Sequence, residues 1–127
     1  MFYLEKEYQL NADEVLESLI FHLKQNGYVV VADIDVKSIL KKALNYDFSN
    51  YRILEICNPK AAKDILGNDY LNGLFIPCKI VIYEDGENTK LKLLRATELS
   101  EKFFSKGKEV IERYQLELEK LIETFSP

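Results

Sequence analysis

A strand leads directly into a helix at residues 51–62, which read Tyr51-Arg52-Ile53-Leu54-Glu55-Ile56-Cys57-Asn58-Pro59-Lys60-Ala61-Ala62. The segment up to Cys57 is rich in the apolar and aromatic residue types that form strands. Asn58 is a residue type that caps helices, and Pro59 falls at the first helical position, where proline is tolerated best. The helix continues to Leu66 and ends at Gly67-Asn68. The junction therefore predicts one strand, one helix and the point where they meet.

Hydrophobic periodicity predicts the other elements on both sides of this junction. A helix lies between the capping residue Asn11 and the terminating Gly27, and Asp85-Gly86 favours a hairpin. The β-branched run Tyr28–Ala32 favours a strand in the middle of the sheet. The remaining predicted strands cover residues 2–10, 76–84 and 90–95, and the remaining predicted helices cover residues 36–44 and 105–125.

These elements predict an α+β fold for residues 1–127 as one domain. We expect two layers, with a mainly antiparallel sheet of about five strands, helices packed on one face and a long C-terminal helix. A chain of 127 residues is long enough for one core. No repeat or linker divides it.

Composition excludes several classes of partner. The net charge is -4 and the basic residues are dispersed. This argues against a nucleic-acid partner, since binding to a phosphate backbone needs clustered Lys and Arg. Apolar runs fall far short of the roughly 20 residues that cross a bilayer, and no secretory signal is visible, so we expect no membrane partner and a cytoplasmic location.

The chain also lacks the sequence patterns of common cofactor and metal sites. Glycine-rich nucleotide motifs, the Gly-x-Ser-x-Gly elbow and His-Glu-x-x-His are missing. One histidine and two cysteines make a closed four-ligand zinc site improbable. We therefore expect no cofactor and no metal.

An unusual pair of segments carries a family resemblance. The first is Glu55–Pro59 followed by Ala61-Ala62, and the second reads Gly73-Leu74-Phe75-Ile76-Pro77-Cys78-Lys79-Ile80-Val81-Ile82-Tyr83-Glu84. Together they resemble the family known as "domain of unknown function 302", and the order of elements is similar over residues 1 to about 95. The resemblance implies a compact α+β domain with an antiparallel sheet, commonly a homodimer, and it implies no assigned activity.

Two cysteines are the candidates for chemistry at this signature. Cys57 ends one strand just before a helix N-terminus, which favours a thiolate, and Cys78 begins another strand. The alternative is that both pack as small buried hydrophobes. Glu55 is a third catalytic candidate if its side chain faces the core, and a solvated charge if it does not.

The same segments supply the candidates for ligand binding. Exposed amides at the start of a helix can hold an anion, but the Asn58 cap would compete for those amides. The ligand-binding candidates are Asn58, Pro59, Lys60, Pro77 and Lys79.

Two residues of the first predicted helix lie off its apolar stripe. Phe21 points almost opposite the stripe, so it is the candidate for a contact surface, although single exposed apolar residues are common. His22, at the boundary of the stripe, is more typical of a partly buried surface group than of a catalytic base.

Two functional hypotheses follow. The first is a homodimeric, non-catalytic module that binds a small molecule or a protein in a cleft beside Cys57-Asn58-Pro59 and Pro77-Cys78. The second is a thiol-dependent enzyme or redox protein that uses Cys57 and Cys78, which requires an accessible thiol of low pKa. The absence of Cys-x-x-Cys and of a histidine near either cysteine favours the first.

Overall fold

The computed structural model describes residues 1–98 and 108–127. The predicted helix start at residues 105–107 lies outside that part of the chain. The described strands are β1 (Tyr3–Tyr8), β2 (Val29–Asp35), β3 (Tyr51–Cys57), β4 (Cys78–Asp85) and β5 (Asn88–Leu94). The described helices are α1 (Ala12–Gln25), α2 (Val36–Leu44), α3 (Pro59–Asn68), a 3-10 helix (Tyr70–Phe75) and α4 (Lys108–Thr124).

Local sequence signals explain where these elements begin. The Asn11 side chain accepts a hydrogen bond from the backbone of Glu14 at 2.9 Å, and Asp35 caps α2 through Ser38 N at 3.0 Å. At the hairpin between β4 and β5, Gly86 has φ +67°, a left-handed conformation that favours glycine. Short polar side chains and one glycine thus start two helices and turn the chain.

The five strands form one antiparallel sheet with the order β1-β5-β4-β3-β2. The prediction that Tyr28–Ala32 lies in the middle of the sheet is wrong, because β2 is an edge strand. Its register against β3 shifts between Val30 and Ala32, and Val29 and Val31 are 50% and 57% exposed. An apolar run indicates that a segment prefers to form a strand, but it does not indicate which distant strands will pair with it. The order of the strands could therefore not be predicted from this run.

The core lies between one face of the sheet and the helices α1 and α4. Alternate residues of the central strands, such as Leu54 and Ile80, point into it, where Leu19 of α1 and Leu118 of α4 meet them. Each of these four side chains is almost fully buried. The predicted α+β domain, with helices on one face of the sheet and a long C-terminal helix, is confirmed.

No helix in residues 1–98 or 108–127 has the length and apolar character needed to cross a bilayer.

Candidate functional site

A cavity lies where the end of β3 and the start of β4 meet α3, the 3-10 helix and α4. Its volume is about 50 Å³, and it is partly open to solvent. Among the described residues that line it there is no Asp, Glu, Lys, Arg or His. Apolar side chains from β3, α3 and α4, including Ile56, Ile65 and Leu118, make up most of the surface. It is therefore an uncharged, mainly apolar space.

The signature residues border this cavity from the sheet side. Cys57, Asn58, Pro77 and Cys78 all line it. Because β3 and β4 are antiparallel, with Ile56 opposite Cys78, the C-terminal end of one strand lies beside the N-terminal end of the other. The two sequence segments that carry the family signature are thus brought together.

Asn58 is engaged as a helix cap. Its Oδ1 accepts hydrogen bonds from the backbone of Lys60 at 3.1 Å and Ala61 at 3.3 Å. Nearby Tyr28 also lines the cavity, and burial raises its pKa above the ordinary value of 10.0. An anion at this helix start would have to displace the cap from amides that it already satisfies.

The two cysteines are free and their strands are neighbours, but their positions differ by one residue in register. Cys78 is opposite Ile56 and faces the core side of the sheet with it, so strand alternation directs the Cys57 side chain towards the other face, although Cys57 still borders the cavity at the end of β3. Burial, and then the nearby Cys57 and Glu55, raise the pKa of Cys78 to about 11. At neutral pH Cys78 is a thiol rather than a thiolate.

Gln115 of α4 is the polar residue of this cavity that local sequence reasoning missed. Only 4% of its surface is exposed, and its Oε1 accepts a hydrogen bond from Ala96 N at 3.1 Å. Its Nε2 is buried and has no hydrogen-bond partner among the described residues. An unmatched buried amide donor costs roughly 1–3 kcal/mol, so this atom calls for an explanation.

A hydrogen bond joins the two helices on the far side of the cavity. The Tyr114 hydroxyl of α4 donates to Asp64 Oδ2 of α3 at 2.5 Å, and Arg113 Nη2 lies 3.6 Å from the same oxygen. This contact raises the pKa of Tyr114 above its ordinary value. It fixes the spacing of two elements that line the cavity.

The three charged residues among the site candidates lie elsewhere. Glu55 is on the face of the sheet away from the core, where its Oε1 is 3.5 Å from Lys79 Nζ. This is a cross-strand ion pair, since the two residues are opposite each other in β3 and β4. Neither residue lines the cavity, and neither does Lys60.

The structure also shows where the other candidate residues lie. Pro59 is at the first turn of α3 and does not line the cavity. Phe21 is 64% exposed on α1. His22 Nε2 is 3.2 Å from Leu121 O of α4, a contact that joins the two long helices. Within the described residues, no group of three or more His, Cys, Asp and Glu side chains could hold a metal ion.

Sequence reasoning missed the half of the cavity that α4 provides. Tyr114 and Gln115 are more than fifty positions from the Cys57 junction, within the helix predicted at residues 105–125, whose apolar residues recur at helical spacing and form a stripe. Gln115 lies four residues after Ile111 and three before Leu118, so it is a polar residue inside that stripe. That break in the pattern was the available signal.

Comparison with known proteins agrees with this architecture. The family model "Domain of unknown function DUF302" matches residues 4–125. The chain belongs to the DUF302 family. A crystal structure of an uncharacterized conserved DUF302 protein from Bacillus stearothermophilus is similar over 97% of this chain and 97% of that chain, with 29% sequence identity and a TM-score of 0.87. No curated protein matches the chain. The resemblance suggested by residues 55–84 is therefore confirmed, and it carries no activity with it.

Proposed function

We propose that this DUF302 domain is a non-catalytic module that binds a small molecule in the cavity between β3, β4, α3 and α4. The observation that carries the proposal is Gln115, which lines a partly open cavity and whose Nε2 is a buried donor without a partner among the described residues. A bound molecule with an acceptor would supply the missing hydrogen bond and cover apolar surface.

The absence of groups for acid–base catalysis among the described lining residues supports a non-catalytic role. None of its lining residues is a histidine, lysine or carboxylate that could serve as a general acid or base at neutral pH. The alternative is a thiol-dependent enzyme that uses Cys57 and Cys78, both of which line the cavity. The raised pKa of Cys78 opposes Cys78 as its nucleophile, because the thiolate is the reactive form.

A fragment screen by ¹H–¹⁵N NMR on the full chain tests the proposal. We expect small, mainly apolar compounds to shift the backbone resonances of α3 and α4 that line the cavity, such as those of Ala61 and Leu118. The variant Ala62→Leu adds three carbons to the side chain of a lining residue, so binding should weaken at least about tenfold as the space is filled.

The matched control is Ala43→Leu, which makes the same change at an exposed position of α2. Its binding should equal that of the unaltered protein. If compounds bind Ala62→Leu as tightly as Ala43→Leu, or if no compound shifts the resonances around the cavity, the proposal is wrong.

We also propose that the module is a homodimer that associates through the β2 edge. The support is the exposure of Val29 and Val31 on an edge strand whose first half carries no charge. A two-fold related copy presents the same apolar segment, so each strand can cover the other. The register shift beside Val31 favours contact between side chains over a continuous ladder. Phe21 is the competing contact surface.

We further propose that the protein is cytoplasmic. Both cysteines are free, which is the state that a reducing compartment maintains.

A further inference from the structure

The polar atoms around the cavity differ in whether they already have partners. Asn58 caps α3 through Oδ1, and Asn72 Nδ2 donates to Ile65 O at 3.2 Å. The Tyr114 hydroxyl is committed to Asp64. Gln115 Nε2 stands apart as a buried donor for which the described chain offers no acceptor.

The orientation of the Gln115 amide follows from its other contact. The backbone N–H of Ala96 donates to Oε1. Turning the amide over would bring an NH₂ group against that N–H and lose the bond, so the oxygen is held at Ala96. The NH₂ group is then the end that is free to meet a ligand, and it can only donate.

We infer that the ligand of this cavity is a small, uncharged molecule that presents a hydrogen-bond acceptor, such as a carbonyl oxygen, to Gln115 Nε2 and an apolar body to the remaining surface. This inference rests on the proposed function of the cavity. It adds the chemical class of the ligand and names the residue that selects it.

Charge decides against a carboxylate or a phosphate as the acceptor. No lysine, arginine or histidine is among the described residues that line the cavity, so an anion would lose its hydration without gaining a cation. A ligand with an ammonium group is disfavoured in the same way. No carboxylate that could pair with it is among the described residues that line the cavity. Cys78 and Tyr28 are neutral at pH 7 as well, since their ordinary pKa values lie above 7 and burial raises both further.

Volume limits the size of the part that enters. The cavity measures about 50 Å³. An engineered apolar cavity that admits benzene measures about 150 Å³. A group of a few heavy atoms is therefore the right scale, and the partly open side leaves room for a longer ligand to extend outwards.

Three probes of five heavy atoms each separate the possibilities. Butan-2-one carries a neutral acceptor, 2-methylbut-1-ene has the same shape without one, and propanoate carries a charged acceptor. Each is titrated into the ¹⁵N-labelled protein and into Gln115→Met, and the dissociation constants and side-chain amide resonances are followed by NMR. Comparing the ketone-to-alkene ratio between the two proteins cancels the different hydration of the probes.

We expect butan-2-one to shift the Gln115 side-chain resonances and propanoate to bind much more weakly. In Gln115→Met the ketone should lose about threefold to tenfold in affinity relative to the alkene, the value of one hydrogen bond. The Gln115 resonances of the unaltered protein provide the same answer if the variant fails to fold, since only an acceptor should move them downfield.

The outcomes distinguish this inference from the proposed function. If propanoate binds as tightly as the ketone, or if the ketone leaves both the Gln115 resonances and the affinity ratio unchanged, the ligand class is wrong while the cavity remains a binding site. If none of the three probes shifts any resonance around the cavity, the proposed function fails and this inference fails with it.

Discussion

Tyr114 and Asp64 are 50 positions apart in the chain, yet the tyrosine hydroxyl donates a hydrogen bond to the aspartate Oδ2 at 2.5 Å. The contact joins α4 to α3 beside the cavity. No covalent constraint fixes the spacing of the two helices. Their spacing is held by this polar contact and by the packing of Ile65, Ala61 and Ile111.

Tyr114→Phe removes this hydrogen bond and little else. The Asp64 side chain is 35% exposed, so water can replace the lost donor in part. We expect the free energy of unfolding to fall by about 0.5–1.5 kcal/mol, measured by urea denaturation. Tyr70→Phe is the control, because Tyr70 is 89% exposed and its loss should leave stability unchanged. Equal effects of the two substitutions would contradict a role for the contact.

The thiol of Cys78 should be protected from alkylation in the folded protein. Its pKa is about 11 against an ordinary 9.0, so at pH 8 it has roughly a hundredfold less thiolate than the unfolded chain. In Cys57→Ser, iodoacetamide labelling followed by intact mass should therefore be at least about a hundredfold slower before unfolding than after it. Cys78→Ser reports Cys57 separately. Rapid native labelling of Cys78 with an apparent pKa below about 8.5 would favour the thiol-dependent alternative instead.

The same pKa shift has a consequence for alkaline stability. The unfolded Cys78 thiol loses its proton near its ordinary pKa of 9.0, whereas the folded thiol keeps it to about 11. Because the unfolded state binds fewer protons in this range, the free energy of unfolding should decrease as the pH rises from about 9 to about 11. Cys78→Val should show a smaller decrease in urea denaturation over that range, and an identical slope in the two proteins would contradict the shift.

Glu84 should contribute to stability at neutral pH and lose that contribution in acid. Its Oε1 accepts hydrogen bonds from Asn50 Nδ2 at 2.9 Å and Ala12 N at 3.1 Å, which lower its pKa below the ordinary 4.5. A lowered pKa gives stability that is present above the unfolded value and lost as the pH falls through the folded value. Glu84→Gln should cost about 1 kcal/mol at pH 7 and progressively less below pH 4.

The control for Glu84 is Glu87→Gln in the exposed β4–β5 turn, which should behave as the unaltered protein throughout. Urea denaturation at pH 3 to 7 provides the comparison. A loss for Glu84→Gln that stays constant over this range would show that the contribution does not depend on its charge.

Val31→Lys should dissociate the proposed homodimer. Each copy would place a charge where an apolar side chain is covered, which removes roughly 1.5 kcal/mol or more per side chain, so the dimer dissociation constant should rise by about a hundredfold or more. Light scattering across a concentration series measures it. Phe21→Lys is the matched comparison on α1. Dissociation by Phe21→Lys alone would move the interface to that helix, and a monomer at all concentrations before any substitution would refute the homodimer.

The elements of the fold could be predicted from local patterns for particular reasons. Asn11 and Asn58 begin helices because their side chains satisfy amides within three positions, and Gly86 turns a hairpin because its backbone reaches a conformation that other residues rarely adopt. These effects involve neighbours in sequence. They hold wherever the segment finally packs, which is why the predicted α+β domain is confirmed.

The candidate site could be predicted only in part. The ends of β3 and β4 were identified, and Cys57, Asn58, Pro77 and Cys78 do line one cavity. Glu55 and Lys79 pair on the other face instead, because a strand turns successive side chains to opposite sides. Gln115 was missed, since it lies on a helix that reaches this cavity only through the packing of α4 against α3.

The sequence by itself determined the type and sequential order of most described elements and the signature at residues 55–84, because these depend on interactions over a few residues. Tertiary structure decided that β2 is an edge strand, that Cys78 faces the core while Cys57 does not, and that Gln115 brings an unmatched donor to the cavity. Each of these depends on which distant segments pair and pack, and those choices come from the summed burial of the whole core rather than from any one stretch of the chain.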